Sequence, residues 1–588
     1  MTSQCTYRIC ASVLRTSYII AAIAMLLSSS LSAASLKFAE IYDPEKVLDV
    51  KISVAEEDWN RARRQVRSMP QALGEERRLG KAESPFTYVS ADVTINGVTF
   101  KGAEIRKKGF IGSLDNERPS LKVKLPARDE NGTKTGIRNL TLNNNKQDGA
   151  LVSQTMTYAL FNQAGLVAPK TSYATVSVNG TSLGVYTNVE PARKALVKRG
   201  FGTDKGTMFE GTIVDFYPGW ETGFEHKFGP EEAGRGKVKE LVDALELKGD
   251  ALLAAVKECV DLERFIRFWA VESLIGFWDG YSGNQNNFFV YFNPDKDRLH
   301  FLPWGADSVF TSRGMMDRGG PRSVKSRGRL AGLLYQIPEV QTRYREVMLE
   351  LLDSLWNEEQ LIKESERIEA LVGDAIHGNQ GGLSGALQRT RDFFNSRRDE
   401  LMAELKDGSP EVENQSSEPM YFSKIGSVEG TIKGKWFDDT PSDGTAVGEA
   451  DVKVFVDGEE VAFKNLGVYA SEGRFGFPRG GRQAAINLVG ERASDGETVT
   501  LMLMVPQESF APSETPVAMG GMMREGQGFG FGRGGMQPLD GKIQFSAASQ
   551  EDGAPVEASI SGTVMRMVGG FFGRGRGGGG GRGPRNRR

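Results

Sequence analysis

The residue types best suited to chemistry lie between positions 276 and 310. The run Gly276-Phe-Trp-Asp279-Gly-Tyr-Ser-Gly-Asn284-Gln-Asn286-Asn287-Phe-Phe-Val-Tyr291 sets one carboxylate and four carboxamides just ahead of an apolar stretch. Oxygen donors at that density suit a hard divalent cation. A second carboxylate, Asp307, follows in Phe301-Leu-Pro-Trp-Gly-Ala-Asp307. Upstream, Arg118-Pro-Ser-Leu-Lys122-Val-Lys124-Leu125 places two lysines at i and i+2, on one face of a strand, where either is able to meet a phosphate. Before it, Ala103-Glu-Ile-Arg106-Lys107-Lys108-Gly109-Phe-Ile-Gly112-Ser113 reads as a strand entering a glycine-containing turn, a shape whose backbone N–H groups can cover phosphates. Glu190, just ahead of Pro191-Ala-Arg-Lys, is either the partner of a lysine or an acid favourable at a helix start. Each feature has a plainer alternative: Asp279 capping a turn, asparagines satisfying loop backbone, and lysines on a solvated strand face.

Several elements must position these groups. Leu262, Phe265, Ile266, Trp269, Ser273 and Phe277 recur at helical spacing, which predicts a buried helix running into the polar loop. Residues 288–292 and 299–302 read as two strands joined by Asn293-Pro294-Asp295. Hairpins are expected over 93–100 around Asn96-Gly97 and over 174–189 around Asn179-Gly180, implying antiparallel sheet. Ser53 with Glu56 predicts a capping box opening a helix through Trp59 and Arg63. Residues 330–405 read as helices with solvated charged faces. A β-rich first half followed by a helical second half is an α+β arrangement.

The chain has 588 residues, too many for one core, and ordinary globular composition with 39% hydrophobic and 25% charged residues. Its formal net charge of −3 gives no whole-chain attraction to nucleic acid or anionic membrane. Residues 1–34 carry Arg8 and Arg15, an apolar run from Tyr18 to Leu27 and a small-residue end at Ala34, the pattern of a signal peptide. Its removal takes Cys5 and Cys10, leaving Cys259 alone, which excludes an intramolecular disulfide and a cysteine metal cluster. His226, His300 and His377 are far apart, so a histidine zinc site or a Ser/His triad has little support. The expected organisation is a signal peptide at 1–34, a body at 35–405 and a linker at 406–418. A β-sandwich-like domain at 419–567 and a Gly/Arg-rich tail at 568–588 complete it. Of 71 glycines, eight fall in 520–535 and ten in 569–588. Both the Gly/Met-rich insertion at 519–536 and the tail are expected to be disordered, because they lack the apolar content to offset the entropy of ordering.

A helix, a loop with Asp and Asn, a hairpin and a second Asp is also the order of parts in protein kinases, and Asp279 to Asn284 is the five-residue step of their catalytic loop. Taken together, the motifs resemble the CotH kinase family, named after a spore-coat protein. The resemblance covers most of residues 45–405. It rests on Glu104-Ile-Arg-Lys-Lys-Gly109, Ser120-Leu-Lys-Val-Lys-Leu125, Leu183-Gly-Val-Tyr186 with Glu190, Phe201-Gly202, Met208-Phe-Glu-Gly211, Trp278-Asp-Gly-Tyr-Ser-Gly-Asn-Gln-Asn-Asn287 and Pro303-Trp-Gly-Ala-Asp307. It implies a reduced protein-kinase-like fold and an exported, ATP-dependent kinase acting with Mg²⁺ or Mn²⁺ on Ser or Thr of envelope or coat-type proteins. By position, Asp279 is similar to the catalytic aspartate and Asp307 to the metal-binding aspartate. Asn287 or Asn284 resembles the further metal ligand, Lys122 or Lys124 the phosphate-binding lysine, and Arg106 and Glu190 belong with the nucleotide-binding set. Two positions depart from the family pattern. Gly305 stands where many relatives have aspartate, leaving Asp307 as the sole carboxylate of its motif. Only Ser113 remains of an expected serine-rich turn.

The competing class is a non-catalytic envelope or matrix protein in which the kinase-like body is a binding module. Scarce external ATP, the missing acidic residue and the repetitive tail motivate it. An RNA-binding role for the arginine tail conflicts with export, so no nucleic-acid partner and no transmembrane segment after signal cleavage are expected. The oligomeric state is left open.

Overall fold

The structure is a computed structural model describing residues 36–80, 84–134, 136–311, 320–439, 447–473, 483–525 and 535–569. The expected signal peptide, most of the arginine tail and the centre of the Gly/Met-rich tract lie outside the described residues. The mixed α+β character is as expected.

Seven strands form the first unit: β1 (Val47–Ser53), β2 (Val89–Ile95), β3 (Val98–Lys108), β4 (Ser120–Lys124), β5 (Asn139–Asn143), β6 (Thr171–Val178) and β7 (Thr181–Val189). They close into a barrel in the order β1-β2-β3-β4-β5-β7-β6. Both predicted hairpins are present, with Asn96 and Asn179 at positive φ in their turns. The sheet is not purely antiparallel, because β1 runs parallel to β6 where the barrel closes, with Leu48 opposite Ala174 and Val50 opposite Val176. Closure makes β1 pair on both edges and removes the exposed edges of an open sheet. Inward-facing Val50, Val93, Ile95, Ile105, Leu142 and Tyr186 are fully buried and fill the barrel. The Ser53–Glu56 capping box does not form. Ser53 is held in β1 opposite Asp92, and the Glu56–Arg63 helix starts after Ala55 with Glu56, Glu57 and Asp58 in its first turn complementing the helix dipole.

A second sheet, in the order β11-β10-β8-β9, consists of β8 (Thr207–Gly211), β9 (Glu225–Phe228), β10 (Phe288–Asn293) and β11 (Arg298–Pro303). Against it lies the predicted buried helix, Leu262–Leu274, capped by the Asp261 side chain accepting from Arg264 N at 3.2 Å. Phe265, Ile266, Phe268, Trp269 and Val271 are at most 1% exposed, and each contributes roughly 1.5–3 kcal/mol by leaving water. The helix stops where Gly276, at φ +67, takes the left-handed turn that favours glycine. Helices follow at Arg329–Leu334, Pro338–Ser354, Glu358–Val372 and Leu383–Leu405. Among the described residues, no helix is long and apolar enough to cross a membrane.

The C-terminal unit is all β. Tyr421–Phe437 pairs along most of its length with Pro555–Val568, and its end turns parallel to Phe463–Gly473 through Trp436 opposite Ala470. Continuing pairings through Gln483–Arg492, Thr498–Pro506, Met519–Arg524 and Gln537–Ala547 return to Pro555–Val568, so the hydrogen bonds close a circuit around Val428, Trp436, Ile486, Leu503 and Ile560. The expectation of disorder from 519 is corrected here, because Met519–Arg524 is a strand registered on Thr498–Pro506. Met522 faces the core while Met519 and Met523 pack against Met502 and Met504 on the other face. Buried methionine side chains offset the entropy cost of its two glycines. The segment expected as a linker has no helix or strand beyond residue 408, yet it is docked: Tyr335 Oη donates to Pro410 O at 2.9 Å and Gln285 Nε2 to Ser417 O at 2.7 Å.

Candidate active site

The two signatures around Asp279 and Asp307 meet because the β10–β11 hairpin folds the chain back on itself. Trp304 N donates to Asn287 O at 3.0 Å and Trp278 Nε1 to Ser308 Oγ at 3.0 Å, tying the loop after the buried helix to the loop after β11. Asp279 accepts from three carboxamides: Asn284 Nδ2 at 2.7 Å and Asn286 Nδ2 at 3.1 Å on one oxygen, Asn287 Nδ2 at 2.9 Å on the other. Burial nevertheless dominates and raises its pKa above the usual carboxylate range. The Asp307 carboxyl is pushed up to about 7, by burial first and then by the negative charge of Asp279, against the pull of Lys108.

Behind this loop two buried carboxylates hold it in place. Glu272 accepts from Tyr281 N at 2.8 Å, Ser282 N at 2.8 Å and Ser282 Oγ at 2.6 Å, and burial raises it to about 7. Asp215 accepts from Tyr281 Oη at 3.0 Å, Gln285 Nε2 at 2.8 Å and Arg329 N at 2.6 Å. Sequence spacing gave neither a role, since both act on backbone or side chains remote from them in the chain.

The cations come from the barrel wall. Arg106 on β3 is opposite Lys122 on β4, and strand alternation puts Lys108 on the same face. Lys108 and Lys122 are each lowered to about 8, chiefly by burial, with Glu210 drawing both back up. Lys108 also feels Asp307 and donates to Asn143 Oδ1. Glu210, on β8, is bonded by Lys227 Nζ at 2.7 Å; burial raises its pKa, but Lys227, Lys122 and Lys108 together outweigh that and lower it. Asn284 and Asn287 bond Asp279, the charge of Asp279 acts on Asp307, and that of Asp307 on Lys108. Lys108, Arg106 and Glu210 act in turn on Lys122, so these residues form one charged seam, hereafter the crevice, where β3 and β4 meet the second sheet and its loops.

Two predicted site residues lie apart from this group. Lys124 is on the Lys122 face of β4 but two residues further along, half exposed, 3.3 Å from Glu104 and 3.6 Å from the centre of the Tyr88 ring. Glu190 is buried, 2.6 Å from Arg199 in the last turn of the Lys194–Phe201 helix, and accepts from Lys170 N. It neither starts that helix nor partners Lys122; Glu210 is the carboxylate beside the lysines. The Ile111–Ser113 turn closes on itself, with Phe110 N donating to Ser113 Oγ at 3.1 Å. Lys108 and Glu210 were within runs already singled out, and the period-2 alternation from Arg106 was the signal for Lys108. Asn286 was one of the four carboxamides of the polar run, whereas Lys227 had no signal beyond its polarity.

The donor set fits a divalent cation. Asn286 Oδ1 is buried without a partner, and no side-chain donor meets the Asp307 carboxylate among the described residues. Gly305 shapes the same corner. Its φ is +53, and a Cβ there would lie 2.3 Å from Asn287 Oδ1, so the carboxamide of Asn287 occupies the space that a side chain at 305 would need.

The chain is similar to several known proteins. The chain is 22% identical over 255 residues to inner spore coat protein H of Bacillus subtilis strain 168, covering 40% of this chain and 69% of that protein. It is 22% identical over 213 residues to invasin CotH2 of Rhizopus delemar, covering 33% and 35%. A further relative, the inner spore coat protein H-like protein of Bacillus subtilis, is 24% identical over 226 residues, covering 38% and 65%. Residues 98–401, a span that contains every cation and carboxylate of the crevice and just over half of the sequence, match the family described as CotH kinase protein, and the chain therefore belongs to that family.

Proposed function

We propose that this protein is an exported protein kinase of the CotH type, transferring the γ-phosphate of ATP to Ser or Thr of envelope or coat-type proteins with Mg²⁺ or Mn²⁺. The carrying observation is that Lys108 and Lys122, both of reduced basicity, share a crevice with the carboxylates Asp279 and Asp307. Phosphoryl transfer asks mainly for positioning and charge neutralisation, and this crevice has groups for both. Lys122, with Arg106 beside it, meets phosphate oxygens, and Glu210 holds the lysines in place as a kinase lysine's carboxylate does. Asp307, with the oxygens of Asn286 and Asn287, is the set that would hold the cation. That cation, when bound, neutralises phosphate charge and polarises the transferring group. Asp279, oriented by its three carboxamides, accepts the proton of the acceptor hydroxyl. Relatives named as spore-coat proteins and as an invasin support a coat or envelope location.

The test is transfer of labelled phosphate from ATP by the purified protein, with Mg²⁺ or Mn²⁺, to itself or to extracellular protein. No transfer and no nucleotide binding would sink the reading. The second reading, a non-catalytic envelope module, is favoured by one observation: Gly305 leaves Asp307 as the sole carboxylate of its motif. It predicts that Asp279→Asn and Asp307→Asn leave the cellular role intact.

A further inference from the structure

The family match ends at residue 401, but the C-terminal β-domain beyond it reaches back to the end of β3, the strand that carries Lys108. Lys108 is the residue concerned. The residue before it, Lys107, points the opposite way and is 1% exposed. Its Nζ donates to Asn116 Oδ1 at 2.5 Å and to Arg63 O at 2.7 Å. Asn116 in turn donates to the carboxylate of Glu508, a residue of the β-domain. Just after Lys108, Phe110 and Ile111 enter an apolar cluster with Phe422, Met420, Met565 and Met567, all β-domain residues, and with Ala72, Leu73 and Ile213 of the body. Ser68 Oγ to Asp540 at 2.8 Å and Lys424 to Glu76 at 2.6 Å secure the same joint. Lys108 therefore sits between two anchor points on a domain more than 300 residues away in sequence.

We propose that the C-terminal β-domain is a positioning element of the nucleotide site, fixing Lys108 through Glu508–Asn116–Lys107 on one side and the Phe110–Ile111 cluster on the other. The proposal rests on the kinase reading and deepens it by naming which part of the nucleotide depends on the β-domain. A strand end held from both sides keeps the Lys108 backbone in place, so less freedom remains to be lost when its ammonium meets a phosphate. Burial of Lys107 lowers its pKa to about 7, with Asp115 and Glu508 pulling upward, so Glu508 also supports the charge on which this link depends. The consequence is specific: the β-domain should matter for the β- and γ-phosphates and not for the nucleoside or its first phosphate.

The test uses the full-length protein. Glu508 is exposed, so Glu508→Ala removes the link without emptying a core, and Glu508→Gln retains an acceptor for Asn116. Met567→Ala thins the apolar anchor independently. Affinities for ATP and AMP are measured for each, alongside the unfolding midpoint. The expected result is ATP binding weaker by about five- to tenfold in Glu508→Ala and Met567→Ala, a size usual for coupling between distant sites, with AMP affinity unchanged and Glu508→Gln within about twofold of the unaltered protein. ATP affinity unmoved by both alanine variants overturns the proposal, as does equal loss for ATP and AMP, which would mark a merely structural joint. Failure of the unaltered protein to bind ATP overturns the kinase reading and this inference with it, so the two failures are told apart by that control.

Discussion

The barrel and the C-terminal β-domain are built alike and treat charge oppositely. Each closes a circuit of hydrogen-bonded strands around an aliphatic core, with one parallel contact where the circuit joins. On the β-domain, Lys542 pairs with Glu514 and Arg566 with Asp457 on side chains about half exposed, where such pairs contribute little. On the barrel, Lys108 and Lys122 point into the crevice and are held at reduced basicity beside Glu210 and Asp307. Buried lysines of reduced basicity set beside carboxylates mark a functional face, and the barrel has such a face where the β-domain has exposed pairs.

The largest effect that would sharpen this contrast is on transfer itself. Asp279→Asn keeps the shape but removes the proton acceptor and sets one N–H₂ against a carboxamide donor, so phosphate transfer should fall by about 10²–10⁴-fold with only a modest drop in the unfolding midpoint. Next, Lys122→Met should weaken ATP binding by about tenfold or more, the loss of a charge-assisted contact of roughly 1.5–3 kcal/mol, while Lys542→Met on the β-domain changes it by less than about twofold. Equal effects of the two lysines would break the comparison.

A pH series separates the regions more gently. Lys108 and Lys122 lose their protons near 8, well below an ordinary lysine, so ATP affinity should decline as pH rises through 8, beyond the window near 7 in which Asp307 ionises. An affinity flat to pH 10 would contradict the burial of these groups. The smallest effect concerns the loop support. Glu272 is raised from 4.5 to about 7, so the native state keeps a proton that the unfolded chain releases, and stability falls as pH rises between those values. Glu272→Gln should flatten that part of the stability profile by about 1 kcal/mol per pH unit, measured by denaturant unfolding from pH 4.5 to 7.

Much of the fold was legible in local pattern. Asn-Gly turns marked both hairpins of the barrel, and helical spacing from Leu262 marked the buried helix, because turn chemistry and burial periodicity act over a few residues. The Ser53–Glu56 capping box failed for a tertiary reason: pairing with β2 keeps Ser53 in a strand. Methionines at 519, 522 and 523 looked like part of a glycine tract until two packed faces gave them partners. In the site, Asp279, Asp307 and their asparagines were legible because one hairpin joins them. Glu190 was misassigned because nothing local distinguishes a carboxylate beside Lys122 from one beside Arg199.

The sequence by itself determined the chemical inventory, the order of parts and the family, since these depend on residue types and short spacings. Only the tertiary structure decided which lysine of β4 is buried, that Glu210 and not Glu190 stands beside it, and that Gly305 makes room for Asn287. It also decided that a β-domain from the far end of the chain braces Lys108. Those outcomes depend on burial and on contacts between residues hundreds of positions apart, and desolvation, which sets the basicity of the lysines and the acidity of Asp307, has no value until the surrounding protein is in place.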